Sequence, residues 1–267
     1  MPKIKTVFSD IDGTLLNSTH QITPLTQQAI RALEHAQIPF VIVSARGPSG
    51  ITPIMREYGF QCPMICYSGA LILSENGQVL FQKGFQKRTA KAIIELAEQR
   101  QFDLSWCLFS FDEWIVKDRS DPRIVREEKI VKAESKQGSL ETIAGDDVHK
   151  ILCICNPRQI LTIEQELKKA FPHLSIAKSA DHLLEIMERG VTKAAAVKQF
   201  CQMRQIAPAD TAAFGDNYND LEMLQTVGHG FFMENAPEEL KRLFPCHTKD
   251  NDHDGIFFAL RQMGLDL

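Results

Sequence analysis

Two carboxylates one residue apart, Asp10 and Asp12, follow directly on the apolar run Ile4 to Phe8 and precede Gly13 and Thr14. A run of that kind suits a buried strand. In open α/β sheets ligands gather beyond the carboxyl ends of parallel strands, where loops and helix N-termini point polar groups outward. Two acids placed there repel each other and raise one pKa unless a cation offsets the repulsion. A divalent metal with oxygen ligands fits that position. A capped turn is the other reading of the same residues, with Asp12 as helix N-cap and Gly13 for backbone freedom.

Three more segments end apolar runs in polar groups. Ile38 to Val43 stops at Ser44-Ala45-Arg46-Gly47, a hydroxyl and a base. Gly190-Val191-Thr192-Lys193 opens a helix and carries a cation. Thr211 to Phe214 runs into Gly215-Asp216-Asn217-Tyr218-Asn219-Asp220, a cluster of acids and amides. Each has a bland reading. Ser44 can cap the next helix, Lys193 can be a solvated lysine, and acids are favoured at any helix start. Together they supply a carboxylate nucleophile, a second carboxyl, a hydroxyl donor, a cation and metal-holding acids. That set suits phosphoryl transfer, which needs negative oxygens neutralised and held in line.

The elements that must position these groups can be read from periodicity. Helices are expected from Thr23-Pro24 to about Ala36, from Ser49 to Tyr58, and from Thr192 through Cys201. Buried strands are expected at Ile38 to Val43, Met64 to Tyr67 and Thr211 to Phe214. Leu71 to Leu73 and Val79 to Phe81 read as a hairpin across Asn76-Gly77. From about Lys83 the pattern changes to several strands interleaved with helices near Thr89–Arg100, Asp121–Ala133 and Ile160–Phe171. This predicts an α+β unit with a largely antiparallel sheet, and at Gly190 the α/β pattern resumes. The expected architecture is α/β: a discontinuous Rossmann-like parallel-sheet core of residues 1–82 and 188–267, with an inserted α+β domain of residues 83–187. Gly84 and Gly190 lie in the two linkers, near Gln82–Phe85 and Glu188–Thr192, as hinge candidates.

Composition narrows the function further. The chain has 267 residues, 44% apolar and 24% charged, which is ordinary globular usage. A net charge of −4 argues against nucleic acid as a partner. No apolar run reaches membrane-spanning length, and the start Met1-Pro2-Lys3-Ile4-Lys5 lacks the apolar stretch of a secretion signal. Seven cysteines without a regular framework predict reduced thiols and a cytoplasmic location. Cys153 and Cys155 share one strand face and are expected in the core. Cys62 and Cys66 lack a second pair at zinc spacing. There is no Gly-x-Gly-x-x-Gly and no Walker-type loop.

In order and separation the four segments resemble the motifs of the haloacid dehalogenase superfamily, in its Cof-type phosphatase branch with a large C2B-type cap inserted between the second and third motifs. Asp10 to Thr14 match the first motif, Ser44 the second, Lys193 the third, and Gly215 to Asp220 the fourth. Met233-Glu234-Asn235-Ala236 is similar to that branch's Met-Gly-Asn-Ala, and Asn251 to Ile256 to its late acidic turn. Ser44-Ala45-Arg46 stands where Thr-Gly-Arg is usual, and Ser68-Gly69-Ala70 where Asn-Gly-Ala is usual.

The resemblance implies a phosphatase that hydrolyses a small phosphorylated metabolite through an aspartyl-phosphate, with Mg2+ as cofactor. Sugar phosphates, pyridoxal phosphate and flavin mononucleotide are the substrate types it brings. It implies Asp10 as nucleophile and Asp12 as general acid and base. Phosphate oxygens would be held by Ser44, Ala45, Lys193 and Asn219. Metal would be held by Asp10, Asp12 and Asp216, with Asp220 and Asn217 behind them. Arg46, Ser68 and Gly69 are candidate substrate contacts. A monomer or weak homodimer is expected. A phosphomutase shares all four motifs and is the alternative within enzymes. A phospho-accepting signalling protein is the alternative outside them, though it predicts a far shorter chain without a second domain.

Overall fold

The computed structural model describes residues 4–266. Met1 to Lys3, part of the N-terminal run considered above, and Leu267 lie outside the described residues. In chain order the first part carries β1 (Thr6–Ser9), α1 (Pro24–His35), β2 (Phe40–Val43), α2 (Pro48–Tyr58), β3 (Met64–Cys66), β4 (Leu71–Leu73) and β5 (Val79–Gln82). The middle part carries β6 (Phe85–Gln86), α3 (Lys87–Gln99), β7 (Leu104–Ser110), β8 (Glu113–Val116), α4 (Pro122–Val131), β9 (Lys136–Gln137), β10 (Asp147–Val148), β11 (Lys150–Cys155), α5 (Ile160–Ala170), β12 (Leu174–Ala180) and β13 (Leu183–Glu188). The last part carries α6 (Lys193–Met203), β14 (Thr211–Gly215), α7 (Leu221–Thr226), β15 (His229–Phe232), α8 (Glu238–Leu243) and α9 (Gly255–Gln262).

Two compact units result: residues 4–45, 53–80 and 192–266 form one, and residues 46–52 and 81–191 the other. The second unit thus takes in residues 46–52, a segment its sequence texture does not mark. Those residues open α2, and the division falls at Pro53 inside that helix. Proline offers no N–H to the Ser49 carbonyl, so the helix is weakest where the two units meet in sequence.

The first unit is built on a seven-stranded sheet in the order β15-β14-β1-β2-β3-β4-β5. From β15 to β3 neighbouring strands are parallel, and β4 runs antiparallel to β3. β1 is central and buried throughout, as a parallel strand covered on both faces must be. Phe8 of β1 meets Phe200 of α6 edge to face, with centroids 5.7 Å apart. This contact sets the spacing between strand and helix close to the residues that carry the chemistry. Thr192 caps α6 by accepting the Ala195 N–H at 3.1 Å, which places Lys193 in the first helical position. Past β4 the turn expected at Asn76-Gly77 is present: the Ser74 N–H donates to Gln78 and the Gly77 N–H to Ser74.

The second unit holds a six-stranded sheet in the order β12-β13-β11-β7-β8-β9, antiparallel except for the parallel pair β8 and β9. One core cluster joins Ala90 and Ile93 of α3 and Ile160, Ile163 and Leu167 of α5 to Ile151, Cys153 and Cys155 of β11. Cys153 and Cys155 therefore serve packing, as their alternation predicts. On the other strand face Ile124 of α4 packs with Cys107, Trp114, Val116, Leu152 and Ile154. Burying each large apolar side chain stabilises the unit by roughly 1.5–3 kcal/mol. The cysteines are free thiols, and all but Cys246 are buried.

Candidate active site

β1 and β14 lie side by side, and the Asp10 N–H donates to the Phe214 carbonyl at 3.0 Å. Parallel pairing therefore brings Asp10, just past β1, to the level of Asp216, just past β14. α6 delivers Lys193 to the same place. Its Nζ lies 2.8 Å from Asp10 Oδ1 and 2.6 Å from Asp220 Oδ1. All three side chains are nine-tenths or more buried.

Asp220 is fully engaged. Its Oδ1 accepts from Lys193, and its Oδ2 accepts the backbone N–H groups of Asp216 at 3.1 Å and Asn217 at 3.0 Å. Gly215 leaves room for this: a Cβ there would stand 2.4 Å from the Asp220 Cβ. Asp216 accepts the Thr14 hydroxyl at 2.8 Å. Gly13 has φ +80°, and a Cβ on it would lie 2.4 Å from Asp216 Oδ2. Only glycine meets both conditions.

The electrostatics follow from three carboxylates facing one ammonium. Burial pushes the Asp10 carboxyl up to about 8; Lys193 pulls it down, while Asp220 and Asp216 raise it further. Burial likewise raises Asp216 to about 6, against the Thr14 hydrogen bond. Burial disfavours the Lys193 ammonium, but the charges of Asp10 and Asp220 outweigh it and hold the group above the usual lysine range. Carboxylate oxygens of Asp10, Asp216 and Asp220 lie within 4.8 Å of one another. With both oxygens of Asp220 committed, Asp10 and Asp216 are the oxygen donors of that set. A hard divalent ion suits them, since it supplies the positive charge the pocket is short of.

The remaining candidates are spread around this centre. Asp12 is exposed, in contrast to Asp10 two residues before it. Ser44 is buried at the end of β2; its N–H donates to Ile65 and its carbonyl accepts from Ser68, both at 2.8 Å. Ala45 follows it in the first unit, whereas Arg46 belongs to the second and donates to the Gly50 carbonyl at 3.2 Å. Ser68 and Gly69 form a buried single turn after β3, with Ser68 at φ 53°. Asn217 caps the turn before α7 by accepting the Tyr218 N–H at 2.8 Å. Asn219 is exposed. The structure thus brings Asp10, Lys193, Asp216 and Asp220 into contact. Of the other candidates, Asn217 joins this group only through its backbone. Thr14 carries no role that its position in the first motif reveals. Its tie to Asp216 crosses 202 positions of chain, which no local pattern signals.

Comparison with known proteins adds four findings. The description of haloacid dehalogenase-like hydrolases matches residues 7–260. A Haemophilus influenzae protein provisionally named a phosphatase is 35% identical, covering 97% of each chain. A Bacillus subtilis protein named 5-amino-6-(5-phospho-D-ribitylamino)uracil phosphatase YwtE is 24% identical over 97% of this chain and 98% of its own. Among solved structures, a haloacid dehalogenase-like hydrolase from Bacteroides thetaiotaomicron superposes with a TM-score of 0.89 at 24% identity, covering 98% of this chain and all of that one.

Proposed function

Because this chain belongs to the haloacid dehalogenase-like hydrolases and is a phosphatase of that family, we propose that it is a magnesium-dependent enzyme hydrolysing a small phosphorylated metabolite through an aspartyl-phosphate. The observation that carries the reading is the buried contact of Lys193 with Asp10, beside Asp216 and Asp220. A buried carboxylate held against an ammonium is oriented as a nucleophile and shielded from an incoming anion.

In the first step an Asp10 oxygen bonds to phosphorus and the bond from phosphorus to the alcohol oxygen breaks. Asp12 gives its proton to that oxygen. In the second step Asp12 takes a proton from water, the water oxygen bonds to phosphorus, and the bond to Asp10 breaks, releasing phosphate. Lys193 offsets repulsion between Asp10 and the phosphoryl oxygens, while Ser44, Ala45 and Asn219 hold those oxygens. Asp10, Asp216 and the Asp12 carbonyl would hold Mg2+, with Asp220 and Asn217 behind them, and the ion would neutralise phosphoryl charge there. It takes few carboxylates and keeps waters, which suits two side-chain donors.

We assign leaving-group selection to the second unit, as a cap, with Arg46, Ser68 and Gly69 as further substrate contacts. The relative named for a ribitylaminouracil phosphate favours a substrate of metabolite size. Asp10→Asn tests the core of this reading. Turnover of p-nitrophenyl phosphate in saturating Mg2+ should vanish while the fold is kept, and activity persisting near the wild-type level would remove Asp10 as nucleophile.

A further inference from the structure

The loop that leaves β1 carries Asp10 and Asp12, and its backbone must be held from outside. Thr14 holds one side through Asp216. On the other side the Gly13 carbonyl accepts the Asn235 Nδ2 at 2.9 Å. The Oδ1 of the same amide accepts the Asn251 N–H at 3.2 Å, and the Asn251 Nδ2 donates to the Leu16 carbonyl at 2.9 Å. Asn235 thus uses both ends of its amide in series. Aspartate lacks the donor and alanine lacks both groups.

Asn235 is exposed, whereas its neighbours Met233 and Ala236 are buried, and the Ala236 N–H donates to the Met233 carbonyl at 3.0 Å. The turn is therefore anchored by its neighbours, and the amide is left to fix the loop. We propose that Asn235, braced by Asn251, is a positioning residue that acts through the Gly13 carbonyl to hold the Asp10–Asp12 loop in its reactive geometry. This rests on Asp10 being the nucleophile.

Farther along the same loop Ser18 is tied to Asp252 through its N–H at 2.8 Å and its hydroxyl at 2.6 Å. That pair makes a control, because it secures the same turn at a point remote from Asp10 in sequence.

The experiment measures kcat and KM for p-nitrophenyl phosphate in saturating Mg2+, with circular dichroism to verify folding. Asn235→Ala should lower kcat about tenfold with KM within about twofold, as expected when orientation and not binding is lost. Asn235→Asp, which keeps the acceptor for the Asn251 N–H but loses the donor to the Gly13 carbonyl, should lower kcat to within about twofold of Asn235→Ala. Asp252→Ala should leave kcat unchanged.

Wild-type kcat in Asn235→Ala would overturn the proposal. So would wild-type kcat in Asn235→Asp, or an equal loss in Asp252→Ala. If Asn235→Ala does not fold, Asn235→Asp decides: reduced kcat supports the tie to Gly13 and unchanged kcat removes it. Persistent activity in Asp10→Asn would instead overturn the nucleophile assignment, whatever the asparagine variants do.

Discussion

Lys193 Nζ lies 2.6 Å from Asp220 Oδ1, and solvent reaches neither side chain. Removing one member of a buried pair leaves the other charged and uncompensated, which costs about 3–5 kcal/mol. Lys193→Met should therefore lower thermal stability as well as activity, with kcat down by about a hundredfold or more. Adding Asp220→Asn should restore part of the stability and none of the activity. Strict additivity of the two stability losses in denaturant titrations would contradict the pairing.

Gly13 is constrained twice, by φ +80° and by the Asp216 carboxylate where a Cβ would stand. Gly13→Ala should displace Asp216 or strain the loop, at a cost of about 1–3 kcal/mol in stability. Turnover should fall at least about tenfold. A crystal structure of the variant with Asp216 unmoved and full activity would refute this account.

Magnesium should report on the acid cluster without any substrate. Added at about a hundred times its Kd, it should stabilise the wild-type protein by about 2.7 kcal/mol against unfolding. Asp216→Asn should lose most of that shift, because one of the two side-chain oxygen donors is gone. Chelation should silence wild-type turnover and readdition restore it. An equal magnesium shift in wild type and Asp216→Asn would place the ion elsewhere.

His149 gives the second unit its own pH dependence. Its Nδ1 accepts the Phe111 N–H at 3.1 Å, so the neutral ring carries its proton on Nε2. Burial lowers its pKa from 6.5 to about 4, against the charge of Asp147. Between those values the unfolded chain binds the extra proton and the folded one does not. The stabilisation is complete above pH 6.5 and is lost as pH falls toward 4, by about 3 kcal/mol in all. Denaturant titrations at pH 7, 6 and 5 should show this slope, and His149→Phe should flatten it. A slope unchanged in the variant would assign the effect to other groups.

The strand ends were legible because burial and chemistry alternate sharply there. Phe8 to Asp10, Val43 to Ser44 and Phe214 to Asp216 each pass from a core residue to a polar one within two positions. The Thr192 cap and the Asn76-Gly77 turn were legible because their chemistry is local. What stayed hidden depends on partners far away in sequence. β6, β9 and β10 are two residues long and have no period to read. The Gly13–Asn235 tie spans 222 positions. Assignment of residues 46–52 to the second unit follows from packing around the first turn of α2, which its apolar spacing does not record.

The position of β1 has a consequence for biosynthesis. It pairs with β2 on one edge and with β14 on the other. On the ribosome its first edge can close once residues 40–43 emerge, but its second waits for residues 211–215. During that interval a short strand destined for full burial offers open backbone groups to any passing chain. The nascent protein therefore spends most of its translation with its central strand half-paired, a state in which a chaperone that shields strand edges would raise the yield of folded enzyme.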